Sequence, residues 1–155
     1  GLMSDAPSLS SLLLSPSNRP VLIADAHGVL NSEVAKKSGL GGLALKGAYK
    51  TVSAIAPGFI EGVLAVLLDE WIRAYDEEYV SWRASGSSAS FGTWLVDRQD
   101  TVSERMLEVT DKRARGTSHQ SAAKLYWKLR PGAKAHVITS LPAVAGVIDQ
   151  HLARS

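Results

Sequence analysis

Residues 36–50, KKSGLGGLALKGAYK, set Gly39, Gly41, Gly42 and Gly47 among Lys36, Lys37, Lys46 and Lys50. Glycine and lysine together are the materials of a phosphate cradle, in which backbone N–H groups converge on the anion and a lysine neutralises it. A Walker-type loop needs Gly-Lys-Ser/Thr opening a helix after a strand. Here Lys46 precedes Gly47, no Ser or Thr follows, and the upstream pattern is helical. A dinucleotide fingerprint fails too, because Gly39-Leu40-Gly41-Gly42 lacks the third glycine and the strand. What remains is an anion site at a helix N-terminus, formed by Gly41 and Gly42 with Lys46 and Lys50. The competing reading is a helical corner, which the sequence favours. In it Gly39 makes the turn, Gly47 with Ala44 and Ala48 admits a neighbouring helix, and Lys46 and Lys50 form one solvated ridge.

Other reactive types are scattered. The chain has no cysteine, which excludes disulfides, thiolate metal sites and cysteine nucleophiles. His27, His119, His136 and His151 show neither His-x-x-x-His nor Glu-x-x-His spacing, so no metal site is expected. Asp25 stands two residues from His27, on a different side of a helix. Glu104 and Glu108 share a side, as do Asp97 and Asp100 approximately, with Arg98 and Arg105 close by. That is the composition of a solvated surface, and no Gly-x-Ser-x-Gly elbow supplies a nucleophile. The sequence therefore reads as non-enzymatic, with no catalytic residue and no cofactor.

Charge is segregated. Glu61, Asp69, Glu70, Asp76, Glu77 and Glu78 are offset only by Arg73. Lys112, Arg113, Arg115, Lys124, Lys128, Arg130 and Lys134 follow later with no acid between Lys112 and Lys134. Lys124, Trp127 and Lys128 fall on one side of a helix, and Ala122, Leu125, Tyr126 and Leu129 on the other. Trp127 is thus expected at a rim or on the surface. Lys124, Trp127, Lys128, Arg130 and Lys134 form a candidate interaction surface for a second copy, a protein partner or a phosphate backbone.

The elements that would carry these residues are helices. Asn18 is a candidate cap and Pro20 suits the first turn of a helix that runs to Lys37, where Gly39 supplies a left-handed end. A second helix is predicted over about 41–55. A third runs from Pro57 or Gly58 to about Ser85, with Trp71, Tyr75, Tyr79 and Trp82 in its stripe and a bend near 74–77. This aromatic stripe reads as core or subunit interface rather than a cofactor box. Beside small residues, such a helix could enclose a cavity for a lipid-like ligand. Ser90 caps a fourth helix to about Arg115, a fifth covers about 119–130, and a sixth about 133–140. Ser140 then caps a last helix opened by Pro142 and reaching about 152. The only strand-like run, AHVIT (135–139), sits in a helix-compatible pattern. The fold class is all-α: a compact bundle of six or seven helices around a long central one, with no sheet.

At 155 residues the chain is expected to form one domain over 18–153. Residues 1–17, rich in Ser and Pro, read as a flexible arm docking by Leu12 and Leu13, and Gly1-Leu2 ahead of Met3 as a cloning remnant. Hydrophobic content of 45% and charged content of 21% are those of a soluble globule. The net charge of +2 is too small to demand a polyanion by itself. FIEGVLAVLL (59–68) is too short to span a membrane, which takes about 20 residues. A cytoplasmic location with no membrane partner is expected.

SEVAKKSGLGGLALKGAYKTVSAIAPGFIEGVL (32–64), with FGTWL and KLYWKLRPGAKAHV further on, resembles a family of small uncharacterised bacterial proteins, a domain of unknown function. The resemblance extends to about residue 151. It implies a compact helical protein and brings no catalytic or binding residue with it. The leading expectation is an interaction protein that self-associates or binds another protein. The alternatives are nucleic-acid binding through 112–134 and binding of a small anionic or lipid-like ligand.

Overall fold

The computed structural model describes residues 6–55 and 57–155, so Gly1, Leu2 and Met3 lie outside the described residues. The helices are α1 (Leu9–Leu13), α2 (Arg19–Lys36), α3 (Gly39–Ser53), α4 (Phe59–Ala74), α5 (Asp76–Ser85), α6 (Phe91–Asp97), α7 (Gln99–Gly116), α8 (Gln120–Leu129) and α9 (Ala133–Arg154). Among the described residues there is no strand, and the fold is compact and all-α.

The differences from expectation each have a local cause. The long third helix divides at Tyr75, inside the anticipated bend, into α4 and α5. The fourth divides at Arg98, which leaves helical angles (φ −109°, ψ 32°) while its guanidinium grips Glu78 with bonds of 2.7 and 3.1 Å. The sixth and seventh are one helix instead, α9, with Pro142 inside it. Proline favours a first turn, but it interrupts only one ladder bond. Ser140 does not cap here, since its hydroxyl donates back to the His136 carbonyl at 2.9 Å. Leu141, Ala145 and Ile148 continue one buried stripe across the proline.

The arm is corrected as well. Leu9 and Leu13 are fully buried, so residues 9–13 are a helix seated in the core rather than a loose tether. Ser10 donates to Asp76 twice, from its amide at 2.8 Å and its hydroxyl at 2.7 Å. Asn18 makes no cap bond at α2. Its amide nitrogen donates to the Leu13 carbonyl at 2.8 Å, and its Oδ1 lies 2.9 Å from Nδ1 of His151.

α9 is the axis of the bundle and packs on α1, α2, α6 and α7. Its closest neighbour is α6, where Gly92 removes the side chain that would separate them. A Cβ at Gly92 would stand 2.8 Å from the Ala145 carbonyl oxygen and inside the Asp149 carboxylate, which accepts from the Gly92 amide at 2.8 Å. The core between these helices holds Tyr79, Phe91, Leu95, Val102 and Ile148. Two indoles of the aromatic stripe spend their N–H groups inside the fold. Trp71 donates to the Met106 carbonyl at 3.1 Å and Trp82 to that of Ala89 at 2.9 Å.

Candidate functional site

A cavity of about 250 Å³ lies where α2, α4, α7 and α9 meet and α3 covers them. Each helix turns an apolar stripe inward. α2 supplies Leu22, Ala26, Val29, Leu30 and Val34, α3 supplies Leu45, and α4 supplies Leu64, Leu68, Trp71 and Ile72. α7 contributes Met106, and α9 contributes Val137, Leu141, Val144, Val147 and Ile148. Leu22, Ile72, Leu141 and Ile148 are almost fully buried and mark the inner end. Leu30, Val34, Leu45 and Val137 are only half-buried and mark the mouth. Lys37, Glu33, His136 and Ser140 are the polar groups on the lining besides Tyr75.

Tyr75 sits at the break between α4 and α5, 1% exposed. Among the described residues its hydroxyl has no hydrogen-bond partner. Burial, with the Glu78 carboxylate adding to it, pushes its pKa far above the usual phenol value, so the group is a neutral donor at any physiological pH. A hydroxyl buried without a partner costs about 1–3 kcal/mol. Retained beside an apolar cavity, it is the one strong polar handle at the inner end.

At the mouth, Glu33 on α2 is held at 2.9 Å by Lys36. That bond keeps its carboxyl below the ordinary range despite burial. Lys37, the residue after α2, takes part in no ion pair among the described residues, and its charge acts on both Glu33 and His136. Burial first, and the Lys37 charge second, lower the pKa of His136. The mouth therefore carries one cancelled pair, one ammonium and a neutral imidazole near pH 7.

The residues singled out in the sequence lie elsewhere. Gly41 is exposed at the start of α3, while Gly42 is buried against the Lys37 backbone, where a Cβ would meet the carbonyl carbon at 2.8 Å. Close approach thus falls on Gly42, and Gly47 has open space around it. Gly39 has φ 74°, the left-handed geometry read for it. Lys46 and Lys50 sit about two and three turns along α3, away from its N-terminus. On α8, Trp127 is 39% exposed and stacks edge-on to Tyr126, with ring centroids 5.1 Å apart. Lys124 and Lys128 are exposed beside it. Arg130 is bound to Asp111 at 2.9 and 3.2 Å, and Lys134 to Glu104 at 3.0 Å and Asp100 at 3.6 Å. Tyr126 also donates to Asp111. Burial raises the pKa of that carboxyl, but Arg130 and Tyr126 outweigh it and hold the group low. Of the five, Lys124, Trp127 and Lys128 form the outward ridge.

The acidic stretch is likewise matched inside the fold. Asp69 meets Arg19 at 2.8 Å, Glu77 meets Arg105 at 3.3 Å, and Glu70 pairs with Arg113. Glu78, 3% exposed, binds Arg98 and the Trp94 indole (2.9 Å). His27 lies 3.6 Å from Glu61, whereas Asp25 reaches His151 at 2.6 Å. No cluster of metal-ligating side chains occurs among the described residues, and no described helix is long and apolar enough to cross a membrane.

The architecture is that of a small all-α protein with a largely apolar chamber among its central helices. The chain belongs to the Family of unknown function (DUF6918), whose model matches residues 9–152. That span takes in α1, which extends the resemblance seen from residue 32 onward back to the first core leucine. No curated protein and no solved structure matches the chain.

Proposed function

We propose that the protein binds a small, mainly apolar molecule in its central cavity, with one oxygen of the ligand accepting from Tyr75. The observation that carries this reading is a largely apolar chamber with Tyr75 on its lining, whose buried hydroxyl has no partner among the described residues. Apolar cavities smaller than this one take up benzene-sized guests. At about 30 Å³ per liquid-packed heavy atom, 250 Å³ accepts an occupant of about eight carbons. Burying such a chain is worth roughly 6 kcal/mol gross. The cost of association reduces this, which sets expected dissociation constants from hundreds of micromolar to millimolar.

Titration calorimetry with straight-chain alcohols tests it. Affinity should rise with chain length to about eight carbons and then stop rising, because the cavity is finite. Ala26→Leu, which adds three carbons and takes about a third of the chamber, should weaken binding and lower by about three carbons the length at which affinity stops rising, while the protein stays folded. Absence of binding by every chain length would end the reading, as would equal binding by Ala26→Leu.

A second reading, contact with a protein partner or another copy through α8, is supported by exposed Trp127 between Lys124 and Lys128. Partly buried aromatics flanked by basic side chains are frequent anchors. Light scattering on the wild type and Trp127→Ala tests it: a mass that drops with the substitution supports it, and a monomer with no retained partner removes it.

A further inference from the structure

We propose that the ligand is an amphiphile with an anionic head, a carboxylate seated at the cavity mouth between Lys37 and His136, its chain reaching inward to an oxygen at Tyr75. This rests on the cavity being a ligand site and adds the class of ligand.

The argument is one of charge left over. Three of the four polar side chains at the mouth already have their chemistry spent or neutral. Glu33 is neutralised by Lys36 at 2.9 Å, the Ser140 hydroxyl donates to the His136 carbonyl, and burial together with Lys37 keeps the imidazole uncharged near neutral pH. The next lysine of α9, Lys134, is held by Asp100 and Glu104 of α7. Among the described residues at the mouth, Lys37 alone keeps an uncompensated charge, on a side chain half withdrawn from water. An ammonium in that position is stabilised by an incoming anion and repels a cationic head. A neutral head leaves it as it was. Lys37 is also fixed in place, because Gly42 of α3 packs directly on its backbone. At the other end, Tyr75 has a donor and no acceptor among the described residues, so the chain gains from an oxygen remote from the head.

Four probes of about eight carbons separate the two ends: the ω-hydroxy acid, the plain acid, the diol and the monoalcohol. With the carboxyl ionised at pH near 7.5, each acid should bind about tenfold tighter than its matching alcohol, as one charge-assisted bond allows. Lys37→Met should erase that preference, so that acids and alcohols bind alike, and its far-ultraviolet circular dichroism and denaturation midpoint report that the variant is folded. The ω-hydroxyl should gain several-fold in the wild type and nothing in Tyr75→Phe. In the wild type alone, binding of an acid should raise the pH at which the His136 resonances titrate, and binding of an alcohol should not. Alcohols binding as tightly as acids overturn the anionic head and leave the apolar-ligand reading standing. An acid preference that survives in Lys37→Met overturns the seat. Failure of all four probes defeats both this inference and the reading beneath it.

Discussion

The contact of α6 with α9 and the chamber among α2, α3, α4 and α9 are built from the same residue types, with opposite results. Where α6 meets α9, Gly92 lets backbone touch backbone, and the Asp149 carboxylate accepts a bond from the amide thus brought close. Glu78, beneath it, is buried with Arg98 and Trp94 on its oxygens. Burial pushes the carboxyl up, and the bonds from Arg98 and Trp94 bring it below the ordinary range. Around the chamber the branched side chains of four helices stop short of one another, and Tyr75 keeps an unused hydroxyl. Fully satisfied polar groups specify one arrangement of helices, and an unfilled apolar space forgoes packing energy. A single helix, α9, carries both interfaces. The closed side holds it in register while the open side is free to accept a guest.

The difference can be broken most severely at Gly92. Gly92→Ala should destabilise the fold by about 3 kcal/mol, since the added methyl meets a backbone carbonyl that cannot move away. Chemical denaturation with circular dichroism measures it. The same enlargement on the two sides should then have opposite signs. Ala145→Leu, in the closed interface, is expected to cost about 1–3 kcal/mol. Ala26→Leu, in the chamber wall, should gain about 1 kcal/mol. If both lose stability equally, the chamber is not open to filling. Tyr75→Phe removes a donor that has no partner among the described residues and should stabilise the ligand-free protein by up to about 1 kcal/mol, read by thermal denaturation.

The smallest effect is one of pH. His136 has a folded pKa below its ordinary value of about 6.5. Once the pH falls below about 6.5, the unfolded chain binds a proton there that the folded protein resists, so its share of stability is lost on acidification. Glu33, Glu78 and Asp111 have lowered values and act in a separate, more acidic window, below about 4.5, the upper end of the ordinary carboxyl range. Denaturation midpoints between pH 7.5 and 5 should therefore fall gently in the wild type and fall less in His136→Gln.

Periodicity was enough to find most of the helices, though not α1, because apolar residues at 3.6-residue spacing report a buried stripe whatever it packs against; the bend at Tyr75 was legible from the length of its stripe. Periodicity misplaced what depends on a distant partner. Arg98 breaks a helix to reach Glu78, and nothing within the α6–α7 stretch announces that partner. Pro142 and Ser140 have the composition of a helix start, but the apolar stripe on either side of them faces one core, and tertiary packing prevailed. Asn18, in the position of a cap, serves two distant groups instead. Of the site, the sequence held the aromatic stripe that contains Tyr75 and the thought of a lipid-sized cavity beside it. The isolation of one hydroxyl and the volume beside it are differences between side chains on separate helices, which no single stretch contains. Lys37 stood in the opening glycine-lysine segment, yet its neighbours Glu33 and His136 lie in two different helices.

Asn18 ties the carbonyl of Leu13 to the ring of His151, so the first core helix and the last are joined through one amide. On the ribosome that knot cannot be tied when α1 emerges. Leu9 and Leu13 gain part of their cover from α4 and α5, and are fully enclosed only after the residues of α9 leave the exit tunnel. The protein completes its interior in a late step that draws both flanks of the chain together, and a helper that holds α1 in the interval would have two greasy side chains to grasp.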